Sequence, residues 1–254
     1  SVVAHFLIDH LNLEFVGGVA HPKLPAICLV QDGVPLPPIR AYAGEPICKI
    51  EGVCDKVLLL MSELIVPDPL VHEIVSSLFV WSKEQNAAMG VLIDAFARKG
   101  MKGGLNGNEP MVEYDDTEEV DVLGVAATPK MADLLKEMDI TLLEQGVIKG
   151  MTGAMLSEGS SRGRNIMSLM VEADPRYPDA RAAAVIIEHL NKMLPVVDLD
   201  HEPLLAEAQQ LEDQIRSMME GAESDSAPSS TSSASVFCFS LYFASSSKAH
   251  HYAF

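Results

Sequence analysis

The chain has 254 residues, which fits one α/β domain of about 200 residues plus extras or two small domains, and its 48% apolar residues can build a sizeable core. A net charge of −18 and a pI near 4.7 argue against a nucleic-acid ligand, because phosphate-backbone binding runs on clustered Lys and Arg. Cys28, Cys48, Cys54 and Cys238 form no C-x-x-C pair and have no His at metal-ligand spacing, no run reaches the ~18 apolar residues of a membrane span, and no secretory signal is visible.

Val3, Phe6, Leu7, His10 and Leu11 recur at helical spacing, and Asn12 closes this first helix. The chain opens at Ser1-Val2-Val3 already inside the helical pattern, so its natural start is expected further upstream. Glu14 to Val19 and Ala26 to Gln31 are β-prone runs separated by His21-Pro22-Lys23-Leu24-Pro25. Ile39 to Tyr42 and Ile47 to Ile50 flank Ala43-Gly44-Glu45-Pro46 and read as a hairpin. Lys56 to Val66 begins as an apolar run of the kind that forms strands buried on both faces. Pro67-Asp68-Pro69 stops it and opens a helix with Leu70, Ile74, Leu78 and Trp81 on its apolar side.

Residues 85 to 110 are the least legible. Val91 to Phe96 reads as a strand or a helix interior, and Gly100, Gly103, Gly104 and Gly107 predict a loop. Val120 to Ala127 is a strand, and Thr128-Pro129 starts a helix whose buried side is Leu134, Leu135 and Met138. Between Glu109 and Glu144, eleven acidic residues face only Lys130 and Lys136, which reads as a solvated face or as a docking patch for a basic partner. A short β-like stretch from Gly146 leads into Gly150-x-x-Gly153, followed by a small-residue helix and an apolar strand. From Tyr177-Pro178-Asp179 a long helix carries Ala180, Ala183, Ala184, Ile187, Leu190 and Leu194 on one face. A second helix begins at Pro203, and its Leu204, Ala208, Leu211, Ile215 and Met218 step by four, three, four and three, the spacing of a heptad seam. Only about two heptads are present, so the helix is expected to pack against its own domain or to serve as the candidate oligomer or partner contact.

After Gly221 the composition changes: eleven of the last 34 residues are Ser, and residues 224 to 235 have almost no core-forming side chains. The expected organisation is therefore one α/β domain over residues 1 to 220 and a disordered tail over 221 to 254. Val236 to Ala244 is abruptly apolar and β-prone, which reads as a non-native terminus or a docking tail. Strands and helices alternating at these lengths predict a layered α/β fold, a mixed sheet flanked by helices, with a C-terminal helix.

Motifs that carry chemistry are sparse. Gly150, Thr152 and Gly153, with Arg162 beyond them, form a candidate anion-binding turn, since backbone N–H groups gather at a helix start. A tight strand-to-helix turn explains the same glycines without a ligand, and Arg162 and Arg164 can equally pair with Glu158 or Glu172. Ser157 lacks the glycine two residues ahead that a hydrolase elbow requires. His5 and His10 point to different helix faces, and His72-Glu73 lacks the second His of a zinc protease motif. No catalytic residue, metal site or cofactor is indicated.

Gly146-Val147-Ile148-Lys149-Gly150, Gly153-Ala154, Glu158-Gly159, Arg162-Gly163, Glu172-Ala173 and Pro178-Asp179-Ala180-Arg181-Ala182-Ala183-Ala184 resemble the archaeal proteasome assembly chaperone family, and Asp198-Leu199-Asp200 with Glu202-Pro203-Leu204-Leu205 continues the likeness. It covers most of residues 1 to 220 and is most specific from 146 onward. The resemblance implies a nucleoside-phosphorylase-like fold without a catalytic site, a cytoplasmic homo-oligomer, and proteasome α-subunits as partners. Family members start with a strand and a glycine-rich turn that this chain lacks ahead of its first helix. Some members end in a hydrophobic–Tyr–any tripeptide, whereas this chain ends Tyr252-Ala253-Phe254, with Tyr one place too early. The competing expectation is a phosphorylase-like or other small-molecule-binding enzyme using the turn from Gly150 to Gly153.

Overall fold

The computed structural model describes residues 2–44, 47–50, 53–97, 102–106, 109–113, 120–173, 179–193, 199, 202, 206 and 240–246. Helix α1 (Val2–His10) buries Val3, Ala4 and Leu7, and Asn12 ends it in the left-handed region at φ 49°. Strand β1 (Glu14–Gly18) follows. The hairpin of β2 (Leu29–Gln31) and β3 (Val34–Leu36) turns at Asp32-Gly33, whose φ values are 50° and 79°. Asp-Gly is a strong hairpin signal for this reason.

Strand β4 (Ile39–Ala43) pairs with β1 and with β7 (Leu58–Ser62), both antiparallel. The expected hairpin between Ile39 to Tyr42 and Ile47 to Ile50 does not form. Strand β5 (Ile47–Ile50) pairs instead with β6 (Val53–Lys56), its nearer neighbour in the chain. Every residue of β7 is buried, as its apolar run requires, and Pro67 then precedes α2 (Asp68–Glu84). The ambiguous Val91 to Phe96 lies inside a nine-residue strand, β8 (Met89–Ala97). The glycine-rich region expected as a loop instead forms a small ladder of β9 (Lys102–Asn106) and β10 (Glu109–Glu113), because paired backbones need no large side chains to satisfy their hydrogen bonds.

Strand β11 (Val122–Ala126), α3 (Pro129–Glu137) and a two-residue strand β12 (Thr141–Leu142) come next. Met131, Leu135 and Met138 are the buried residues of the α3 region, while Leu134 is only partly covered. Residues 146–149 are irregular rather than β, and they lead into α4 (Gly150–Ser161) and β13 (Ile166–Ala173). Asp179 caps α5 (Ala180–Met193) by accepting the Ala182 N–H at 2.9 Å. The expected helix from Pro203 falls outside the described residues except for Glu202 and Ala206, which are helical.

Among the described residues, ten strands form one mixed sheet, with the path β1-β4-β7-β14-β8-β13-β11-β12. Here β14 is Ser240–Ser246, from the segment expected to be a disordered tail. It lies between β7 and β8, antiparallel to both, so its backbone groups are taken up by neighbours on each side. Two apolar cores cover the two faces. On one, α1, α3 and α5 pack against Leu59, Met61, Val91, Ile93, Met167 and Leu169. On the other, α2 and α4 pack against Leu58, Leu60, Leu92 and Ile166. The alternation of inward side chains along β7 and β8 splits them between these cores, which is the period-two signature of a sheet buried on both sides.

Candidate functional site

Strands β7, β8 and β13 run parallel, and α2 and α4 return antiparallel across one face. The carboxyl ends of such strands are where α/β folds place ligands. Two polar clusters stand at this edge, on opposite faces of the sheet.

The first lies on the α1 face. Arg40 of β4 is only 2% exposed; its Nε donates to Tyr42 Oη at 2.7 Å and its Nη2 to Glu63 Oε1 at 3.0 Å. His5 of α1 meets the same Glu63 oxygen through Nε2 at 3.1 Å. The Glu63 carboxyl is held below the ordinary carboxylate value, chiefly by the His5 hydrogen bond, then by Arg40, against an opposing push from burial. The Arg40 Nη1 is buried without a hydrogen-bond partner.

The second cluster lies under α4. Thr152 donates from Oγ1 to Asp94 Oδ2 at 2.7 Å, and the Ala95 N–H donates to Asp94 Oδ1 at 2.8 Å. Burial pushes the Asp94 carboxyl above its ordinary value, with both hydrogen bonds opposing. Asp94 therefore weighs against the native state as pH rises through and above about 3.8. Replacing it with Asn removes that penalty, so thermal melts should show the Asn variant gaining stability relative to wild type as pH rises from about 4 upward.

The candidate turn is explained by backbone geometry. Gly150 has φ 67°, where a side chain is strained, and a Cβ on Gly153 would collide with the Ile148 carbonyl oxygen. Gly153→Ala should cost roughly 1–3 kcal/mol in urea unfolding, more than the same change at Gly150, since backbone must move at 153. Thr152 spends its hydroxyl on Asp94, which puts an internal carboxylate beside the start of α4. Arg162 does not join this turn. It is the C-terminal cap residue of the same helix, about 18 Å away at the helical rise of about 1.5 Å per residue. There it pairs with Glu158 and lies over the Phe79 ring at 5.0 Å. Proximity in sequence does not bring Arg162 to the turn, because the intervening residues form one helix. Arg164 is exposed at the same distal end.

The candidate contact residues Leu204, Ala208, Leu211, Ile215 and Met218 all lie outside the described residues. Asp94, Arg40 and Glu63 escaped the sequence reading. Their signal was a charge inside or directly after a run that otherwise reads as buried strand, as in Val91-Leu92-Ile93-Asp94-Ala95-Phe96. A cleft of about 250 Å³ at the other end of β7 is lined by Val16, Ala43, Lys56, Leu58, Trp81, Gln85 and Ala87, an apolar set with one cation and one amide. Among the described residues no three His, Cys, Asp or Glu side chains gather as metal ligands, and no helix is long and apolar enough to cross a membrane.

Known proteins place this arrangement. The crystal structure of Pyrococcus furiosus PbaA, an archaeal homolog of proteasome-assembly chaperone, superposes with a TM-score of 0.70 at 30% identity, over 88% of this chain and 83% of that one. PbaB from the same organism, an archaeal proteasome activator, shares the fold at a TM-score of 0.67 and 17% identity, over 86% of this chain and 87% of its own. An uncharacterized protein of Methanocaldococcus jannaschii is 24% identical over 220 residues, which is 87% of this chain and 80% of the relative. The PAC2 family model matches residues 1–219. With that match spanning most of the chain, the protein belongs to the PAC2 family.

Proposed function

We propose that this protein is a proteasome assembly chaperone-like factor that binds proteasome α-subunits stoichiometrically through the surface of a cytoplasmic homo-oligomer. The observation that carries this reading is the likeness to PbaA, at 30% identity across most of both chains. The polar groups support it. At the edge where an α/β enzyme keeps its site, the charged side chains of each cluster bond within it, the Arg40 Nη1 apart, and the two clusters face opposite sides of the sheet. The turn that would hold an anion is flanked by Asp94 and is separated from Arg162 by the length of α4.

The test is co-purification with recombinant α-subunits. Arg162→Ala combined with Arg164→Ala should leave α-subunit capture unchanged and lower stability by less than about 1 kcal/mol, since the pair of Arg162 with Glu158 is a surface one. Leu211→Asp with Ile215→Asp, which places two carboxylates in the heptad seam, should abolish both self-association in light scattering and α-subunit capture. Turnover of a phosphorylated or nucleoside-like compound that disappears in the arginine double variant would overturn the reading.

A further inference from the structure

The sheet has an unusual joint. Strand β14 is the last of the described elements, yet it occupies the middle of the sheet rather than an edge. It bridges two halves that are otherwise built from consecutive elements: β1, β4 and β7 on one side, and β8, β13, β11 and β12 on the other. The bridge is a main-chain ladder. Five residues, Ser240 to Ala244, oppose Ile93 to Met89, and Leu241 and Tyr242 also oppose Leu60 and Leu59.

The walls of this slot are held without β14. On one face α1 packs on α5, and on the other α2 packs on α4, so each helix pair spans the two halves. Leu59, Met61, Val91 and Ile93 share one core, and Leu58, Leu60 and Leu92 share the other. The receiving surfaces are therefore fixed by contacts in residues 2–193, while the strand that fills them comes from beyond a Ser-rich stretch, 224–235, with almost no core-forming side chains. A ladder between preformed edges is the recognition mode of β-strand addition, in which main-chain bonds supply the affinity.

We propose that the slot between β7 and β8 is a strand receptor and that residues 240–246 are its detachable ligand, exchangeable for the same apolar strand supplied in trans. The receptor takes an extended apolar segment antiparallel to both walls, with a free N–H at the place of Tyr242, which is opposed on both sides. This inference is independent of α-subunit binding, and its failure leaves that reading untouched.

The experiment uses the full chain with a protease site placed within residues 224–235 and cut after folding. The fragment carrying residues 236–254 should stay with the rest of the protein on gel filtration and leave only in denaturant. A fluorescent synthetic peptide matching 236–246 should replace it on warming, and the melting temperature of the cut protein should rise with peptide concentration, as mass action requires. The same peptide carrying Tyr242→Pro should neither enter nor stabilise, because proline lacks the ladder donor. Release of the fragment on cutting with an unchanged melting temperature would overturn the proposal. So would retention of the fragment with no exchange of labelled peptide after repeated warming, or equal uptake of the proline peptide.

Discussion

Deleting residues 240–246 is expected to destabilise the fold by more than about 4 kcal/mol, a large share of the roughly 5–15 kcal/mol that holds a typical domain folded. The arithmetic rests on the backbone. Removing β14 leaves the inner edges of β7 and β8 without partners along Leu59 to Leu60 and Met89 to Ile93. Each buried N–H or C=O left unpaired costs about 1–3 kcal/mol, and water entering the slot recovers part of that. Urea unfolding followed by circular dichroism measures the loss. An unchanged midpoint would mean that the segment contributes nothing to the folded core, as expected of a disordered tail.

The second large effect is at Glu63. Glu63→Ala strips Arg40 of its carboxylate while the guanidinium stays buried, and the expected cost is about 3–5 kcal/mol. Replacing both partners, Arg40→Met with Glu63→Leu, should recover most of it, because an apolar pair has no charge to desolvate. The pH dependence follows from the depressed carboxyl of Glu63. A group whose native pKa lies below its unfolded value stabilises above the unfolded value, here about 4.5, and that support is lost as pH falls through the native value. Wild type should therefore lose stability in acid more steeply than the Arg40→Met, Glu63→Leu variant. Parallel acid titrations of the two proteins would contradict the assignment.

The helices were legible from sequence because a 3.6-residue period with a cap is a local signal. Pro67-Asp68-Pro69 marked the start of α2 and Thr128-Pro129 that of α3, and both begin where these residues stand. Strands buried on both faces carry no alternation, so β8 was not separable from a helix interior by period alone. Pairing was less legible still. Nothing in Ile39 to Ile50 says that β4 prefers β1 and β7 to its chain neighbour β5, because that choice is made by the core on both faces. The turn at Gly150 and Gly153 was found from its glycines, whereas the cluster of Arg40, Glu63 and His5 joins residues 23 and 58 positions apart and has no local signature.

The packing of α1 on α5 sets a timetable for synthesis. The apolar side of α1, with Val3, Ala4 and Leu7, packs on both β7 and α5, so its cover is complete only once residues 180–193 have been made. At roughly 5–20 residues per second, that wait is on the order of 10 to 30 s on the ribosome. For that interval part of the apolar face of α1 stays open, and β7 and β8 wait longer still for the strand encoded at residues 240–246. A sheet whose centre is closed by a strand made so long after its walls completes late in synthesis, so its yield in cells should depend on holding factors at the ribosome more than its final stability would suggest.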